Sequence, residues 1–199
     1  LLVVPLVDLK TQEVKLDLFT LKNSSILFHD FSIPSTTSTA ESDSSTTPFA
    51  WPEWIVSAKQ ITLENNQIEF KTSEIDFRKG YFNPEAIRIT GLSADLSEVT
   101  LQDKSASARV NSILFKEASG FSLNEASFIL AANDDETSLE NLKLATNRSQ
   151  LSGDLKFTYT SMAELIQNPE KVAFDFNLKA PKLAVQDIYF FQPSLAQDT

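Results

Sequence analysis

The sequence predicts an all-β fold, and three observations carry that prediction. Apolar and polar residues alternate with a period of two along almost the whole chain, so each extended segment offers one apolar and one polar face. A phrase is written twice: Leu-Lys-Asn-Ser-Ser-Ile-Leu-Phe at 21–28 returns as Leu-Glu-Asn-Asn-Gln-Ile-Glu-Phe at 63–70. Only one stretch, 161–168, carries the start and stop signals of a helix.

Taken in order, the opening 1–10 is apolar but broken by Pro5 and Asp8. It lacks the basic lead and small-residue cleavage site of a signal peptide. Val14, Leu16 and Leu18 then alternate with Lys15 and Asp17. The repeated octets read as hairpins, because Asn accepts left-handed backbone angles and marks turns between short strands. A third, weaker copy stands at 144–151. Asn23-Ser24-Ser25 and Asn147-Arg148-Ser149 match the N-glycan acceptor pattern, but the turn reading explains them fully. Residues 33–52 are dominated by Ser and Thr with Pro near both ends, too few apolar groups to order themselves, which predicts a mobile loop. Trp51 and Trp54 lie where the sheet resumes. Ile87, Ile89, Leu92, Ala94 and Leu96, then Ala126, Phe128 and Leu130, keep the alternation. It is cleanest at 151–159, where Lys156 is polar-facing, and at 172–180, where Asp175 is. There Phe157 and Phe174 should be shielded, and Lys156 and Asp175 exposed. Between these two segments Ser161 and Glu164 form a capping box, and Asn168-Pro169 ends a helix of under three turns, a plug or crossover. Roughly a dozen strands result.

Composition narrows the class. The chain of 199 residues is 42% hydrophobic and 22% charged, with 15 Phe, which suits one globular domain over 1–199 cut from a longer protein. A net charge of -10 disfavours nucleic acid as a partner. No run of ~18 apolar residues exists, so no segment here spans a bilayer as a helix. Without cysteine there are neither disulfides nor thiolate metal sites.

With one short helix, no helical layer covers a dozen half-apolar strands. Three arrangements remain: a two-sheet sandwich, which composition alone favours, a closed barrel, or a sheet curled into an apolar trough.

A resemblance bears on this choice. "EASGFSLNEASFIL" at 117–130, "LENLKLATNRSQLSGDLKFTY" at 139–159, a capped helix ending Asn168-Pro169-Glu170, and "QDIYFFQPSL" at 186–195 follow in that order. The closing pattern uses Asp187, Ile188, Phe191, Pro193 and Leu195. In this order the motifs resemble the TamB family of translocation and assembly module proteins, in the form common in Bacteroidetes-type Gram-negative bacteria. The match covers about 85 residues of strand-and-turn patterns, and the Ser/Thr-rich insert is not a feature of it. The resemblance implies an AsmA-like periplasmic body anchored to the inner membrane by a helix outside this chain. It implies a curved sheet with a hydrophobic groove that carries phospholipid toward the outer membrane. It also implies a role in outer-membrane assembly with a barrel of the Omp85 class.

The groove candidates are Ile26, Phe28, Ile68, Phe70, Leu155, Phe157, Phe174, Phe176 and Leu178; each is individually compatible with ordinary core. An acyl chain needs only continuous apolar contact, at roughly 0.8 kcal/mol per buried methylene. No cofactor is expected. Catalysis finds little support: the single histidine, His29, stands beside Asp30, but no nucleophile elbow accompanies them. Asp134-Asp135-Glu136 lacks the spacing of a calcium loop and reads as a solvated hairpin turn. Asp187 reads as structural, fixing a turn through its own backbone. The non-catalytic alternative is a β-sandwich presenting loops to protein or glycan.

Overall fold

The computed structural model describes residues 1–3, 6–29, 49–72, 77–168 and 171–193. Most of the Ser/Thr-rich stretch predicted as a mobile loop, residues 33–48, lies outside them, as does Asp30. Among the described residues eleven strands form one open, curved sheet. They are β1 (Leu2–Val3), β2 (Leu6–Asp8), β3 (Glu13–Lys22), β4 (Ser25–His29), β5 (Ile55–Lys71), β6 (Ala86–Gln102), β7 (Ser105–Glu117), β8 (Ser122–Ala132), β9 (Glu136–Thr146), β10 (Gln150–Thr158) and β11 (Ala173–Lys182). The order across the sheet is β1-β3-β5-β6-β7-β8-β9-β10-β11, with β2 beside β3 and β4 beside β5. Among the described residues the two flanks do not pair, so the sheet they form is neither a barrel nor two facing layers.

From β5 onward the sheet is an antiparallel meander. The exception is the pairing of β3 and β4 with β5, which is parallel, and it accounts for the repeated phrase. Leu21 pairs with Leu63, Ile26 with Ile68 and Phe28 with Phe70, so each residue lies beside the one 42 positions later. The octet is written twice because it is laid against itself in register. Like pairs with like down the ladder: the Phe28 and Phe70 rings stack at 5.2 Å and 6°, and Asn65 Nδ2 donates to Asn23 Oδ1 at 2.8 Å. Asn66, 1% exposed, accepts from the Ser24 amide at 3.0 Å and donates to the Leu21 carbonyl at 3.0 Å.

The hairpin reading of both octets, 21–28 and 63–70, is therefore corrected: β3 and β4 both pair with β5 and not with each other. Asn65 does take a left-handed backbone, with φ 53°, but as a bulge inside β5, where the register against β6 shifts between Leu63 and Asn66. Asn23 takes the same conformation, φ 47°, at the break between β3 and β4. Glu98 in β6 and Asn141 in β9 are further left-handed residues within strands, at φ 55° each. Each bulge bends its strand and raises its twist, which is how a sheet of this width curves. The third copy is a true hairpin: residues 147–149 turn between β9 and β10, and Leu151 faces Leu144.

Among the described residues two helices accompany the sheet. Helix α1 (Met162–Gln167) starts where the capping box predicts, with the Glu164 amide donating to Ser161 Oγ at 3.2 Å. It joins antiparallel neighbours β10 and β11, so it is a hairpin connection and not a crossover. Helix α2 (Val185–Phe191) was not foreseen.

Candidate functional site

Residues opposite one another across a ladder share a face of the sheet, so register sorts every strand into its two sides. One row runs Val7, Val14, Val56, Leu101, Ala106, Ala132, Thr137, Phe157, Phe174 across nine strands. A second runs Leu21, Leu63, Ala94, Ile113, Ala126, Leu144, Leu151. The row next to the first is Lys15, Ser57, Thr100, Ser107, Ala131, Ser138, Lys156, Asp175. One side of the sheet is thus apolar from flank to flank, and the other is mostly polar.

Among the described residues no second sheet lies over the apolar side. Its smaller side chains, such as Ala58, Ala94, Ala108 and Ala126, are buried, while larger ones such as Leu63, Leu96, Phe128, Leu130 and Leu139 are only half-buried. Toward β4 and β11 exposure rises, with Phe28 at 53%, Phe176 at 57% and Phe174 at 65%.

The nine groove candidates fall into two groups that the structure does not bring together. Ile26, Phe28, Ile68 and Phe70 form paired rungs of β4 and β5. Leu155 faces Phe176, Phe157 faces Phe174, and Leu178 faces Gly153 on β10 and β11. At that last pairing only glycine fits, since a Cβ on Gly153 would overlap the Asn177 carbonyl oxygen. Strands β6 to β9 separate the groups, so the candidates are the flanks of the apolar side, not its floor. The floor is made by residues outside that set, among them Leu96, Val110, Phe128, Leu130 and Leu139. The expected shielding fails at Phe174: β11 is an edge strand exposed along its whole length. The predicted exposure of Lys156 and Asp175 is observed, and the two pair with one another across the ladder.

Helix α2 overlies one end of this side. Phe190, 1% exposed, has its ring 5.4 Å from Phe121 and 6.3 Å from Phe82, and Phe121 lies 6.2 Å from Phe115 of β7. Asp187 anchors the helix, not a turn of its own. Thr146 Oγ1 donates to Asp187 Oδ2 at 2.6 Å and Arg148 Nε to Oδ1 at 2.7 Å. Burial pushes the carboxyl toward the neutral form, but the bonds from Thr146, Ser149 and Arg148 prevail and hold its pKa below the usual aspartate range.

At the opposite strand ends Asp134 sits in the β8–β9 turn as expected, but it is also a clamp. Its Oδ1 accepts from Trp51 Nε1 at 3.1 Å and from the Met162 amide at 3.3 Å. The Trp51 bond is the main reason its pKa is lowered. His29 pairs across the ladder, its Nε2 3.2 Å from Glu69 Oε1, while Arg88 Nε donates to Glu69 Oε2 at 2.8 Å. Arg88, above all, holds the Glu69 pKa below its ordinary value. Among the described residues no three His, Cys, Asp or Glu side chains converge as metal ligands. Nor is any helix among them long and apolar enough to cross a membrane.

Comparison with protein-family models, with curated proteins and with solved structures finds no match to this chain.

Proposed function

We propose that this chain is a periplasmic segment of a TamB-like, AsmA-type envelope protein, and that its apolar sheet side shields phospholipid acyl chains. On this reading it serves lipid transport to, and assembly of, the outer membrane. The full-length protein is held at the inner membrane by a helix outside this segment and works with an Omp85-class barrel. The observation that carries the proposal is the apolar side, which runs from flank to flank and, among the described residues, is covered only at one end, by α2. Nine side-by-side positions at ~4.8 Å spacing give a width of ~38 Å. One leaflet of a bilayer's hydrocarbon core, half of about 30 Å, is much thinner than that. Each methylene taken from water onto such a surface contributes about 0.8 kcal/mol at full burial, without any placed polar group. The role is non-catalytic. The sandwich-based alternative draws no support from a single open sheet.

Phe176→Lys and Phe157→Glu test the proposal. Both positions reach solvent, so the new charges stay hydrated and the melting temperature should fall by only a few degrees. Binding of a fluorescent phospholipid should drop severalfold in each variant. Unchanged lipid binding in folded variants, or a parent protein that binds no lipid, contradicts the proposal.

A further inference from the structure

We propose that the cavity beneath α2 binds the phosphate of an amphiphile, the headgroup phosphate of a phospholipid. The proposal rests on the acyl-chain reading above and assigns the polar end of the same ligand. The cavity has a volume of about 360 Å³ and is formed where α2 meets the loop before β6 and the β7–β8 and β9–β10 turns. Lys79 and Arg148 line it, and no Asp or Glu does, in a chain whose net charge is -10. Tyr81, Tyr189 and Gln186 supply neutral polar groups around the same space, while Ser119, also in the wall, donates its amide to Glu117 at 2.6 Å and its hydroxyl at 3.4 Å. Such a wall of cations and hydroxyl or amide donors suits a phosphate, whose oxygens accept several hydrogen bonds at once.

Arg148 is oriented for this task. Its Nε donates to the buried Asp187, which fixes the plane of the guanidinium, while its side chain remains 34% exposed. The terminal nitrogens have no other hydrogen-bond partner among the described residues. The remaining wall is apolar: Phe190 lines the cavity and continues through Phe121 to Phe115 on the apolar side of the sheet. A phosphate held here has a hydrocarbon surface beside it, which is the pattern of an amphiphile and not of a small anion alone.

Three probes separate the possibilities in the intact chain: dihexanoylphosphatidylglycerol below its micelle concentration, dihexanoylglycerol, and inorganic phosphate. Lys79→Glu is the variant, since Lys79 is exposed and its loss leaves the core untouched; Tyr189→Phe is the second. Expected is binding of the phosphatidylglycerol with amide shifts at Gly80 and Gly120. Lys79→Glu should weaken it about tenfold, and added salt should weaken it further. Dihexanoylglycerol should bind more weakly than the phospholipid and ignore the substitution. If inorganic phosphate binds as tightly as the phospholipid and with the same Lys79 dependence, the phosphate site stands and the acyl-chain reading loses its support. If both lipids bind alike and neither Lys79→Glu nor Tyr189→Phe matters, the phosphate site is overturned and the acyl-chain reading survives. Binding of none of the three overturns the site outright.

Discussion

Replacing Phe190 by alanine is expected to cost about 3–5 kcal/mol, the range for emptying a fully buried aromatic site. The ring is 1% exposed and meets Phe82, Phe121 and Phe191, the last at 5.0 Å. The site cannot collapse readily, because the surrounding rings are held by different elements: β7–β8 carries Phe121, the loop before β6 carries Phe82, and α2 carries Phe191. The backbone adds a tie, the Phe82 amide donating to the Phe190 carbonyl at 2.8 Å. For a chain of this size each kcal/mol lowers the melting temperature by roughly 2–4 °C, so a fall of order 10 °C is predicted, with Phe190→Leu much milder. A loss below about 1 kcal/mol, the scale of a surface change, would show that α2 is an appendage and contributes nothing to the fold.

Asp187→Ala should cost about 2–3 kcal/mol. Breaking a buried ion pair typically costs 3–5 kcal/mol, but Arg148 is a third exposed and its orphaned charge can reach water, which reduces the figure. The pH dependence gives a second handle. The folded pKa of Asp187 lies below its unfolded value, so its contribution is complete above the ordinary aspartate pKa of ~3.9. It is lost as pH falls below that and through the folded pKa. Wild type should therefore melt well above Asp187→Asn at neutral pH, and the gap should close in acid. A gap that stays constant down to pH ~2, below the ordinary aspartate range, means that the carboxylate charge does not anchor the helix.

Much of the fold was legible because alternation survives in nearly every strand. The faces of β10 and β11, with Phe157 and Phe174 on one side and Lys156 and Asp175 on the other, follow from pattern alone; that these residues pair is seen only in the structure. What alternation could not supply was phase across a bulge. Asn65 and Asn141 each insert a residue, so a face followed by counting in twos changes sides at those points. Strands β6 to β9, rich in Ala and interrupted by irregularities such as those at Glu98 and Asn141, offer no groove candidates by pattern, although Phe128 and Leu130 alternate. The Asn residues signalled left-handed backbone correctly but not whether it would close a turn or bulge a strand; that depends on the partner strand 42 residues away. Helix α2 was missed because Ile188, Tyr189, Phe190 and Phe191 favour strands locally, and Ala184 makes no side-chain cap. Its helix is held by contacts distant in sequence, Asp187 with Thr146 and Phe190 with Phe82.

The claim that one side of this sheet receives acyl chains is tested most directly by paramagnetic broadening of methyl signals with a phospholipid nitroxide-labelled in its acyl chain. The predicted result is strong broadening at Leu96, Leu130 and Leu139 on the apolar side. Leu27, opposite Glu69, and Leu114, opposite Ser93, lie on the polar side and are themselves 60% and 42% exposed, so they report any indiscriminate attraction of lipid to exposed leucine. They should keep their signals. Equal broadening of both sets, or none at either, would contradict the account.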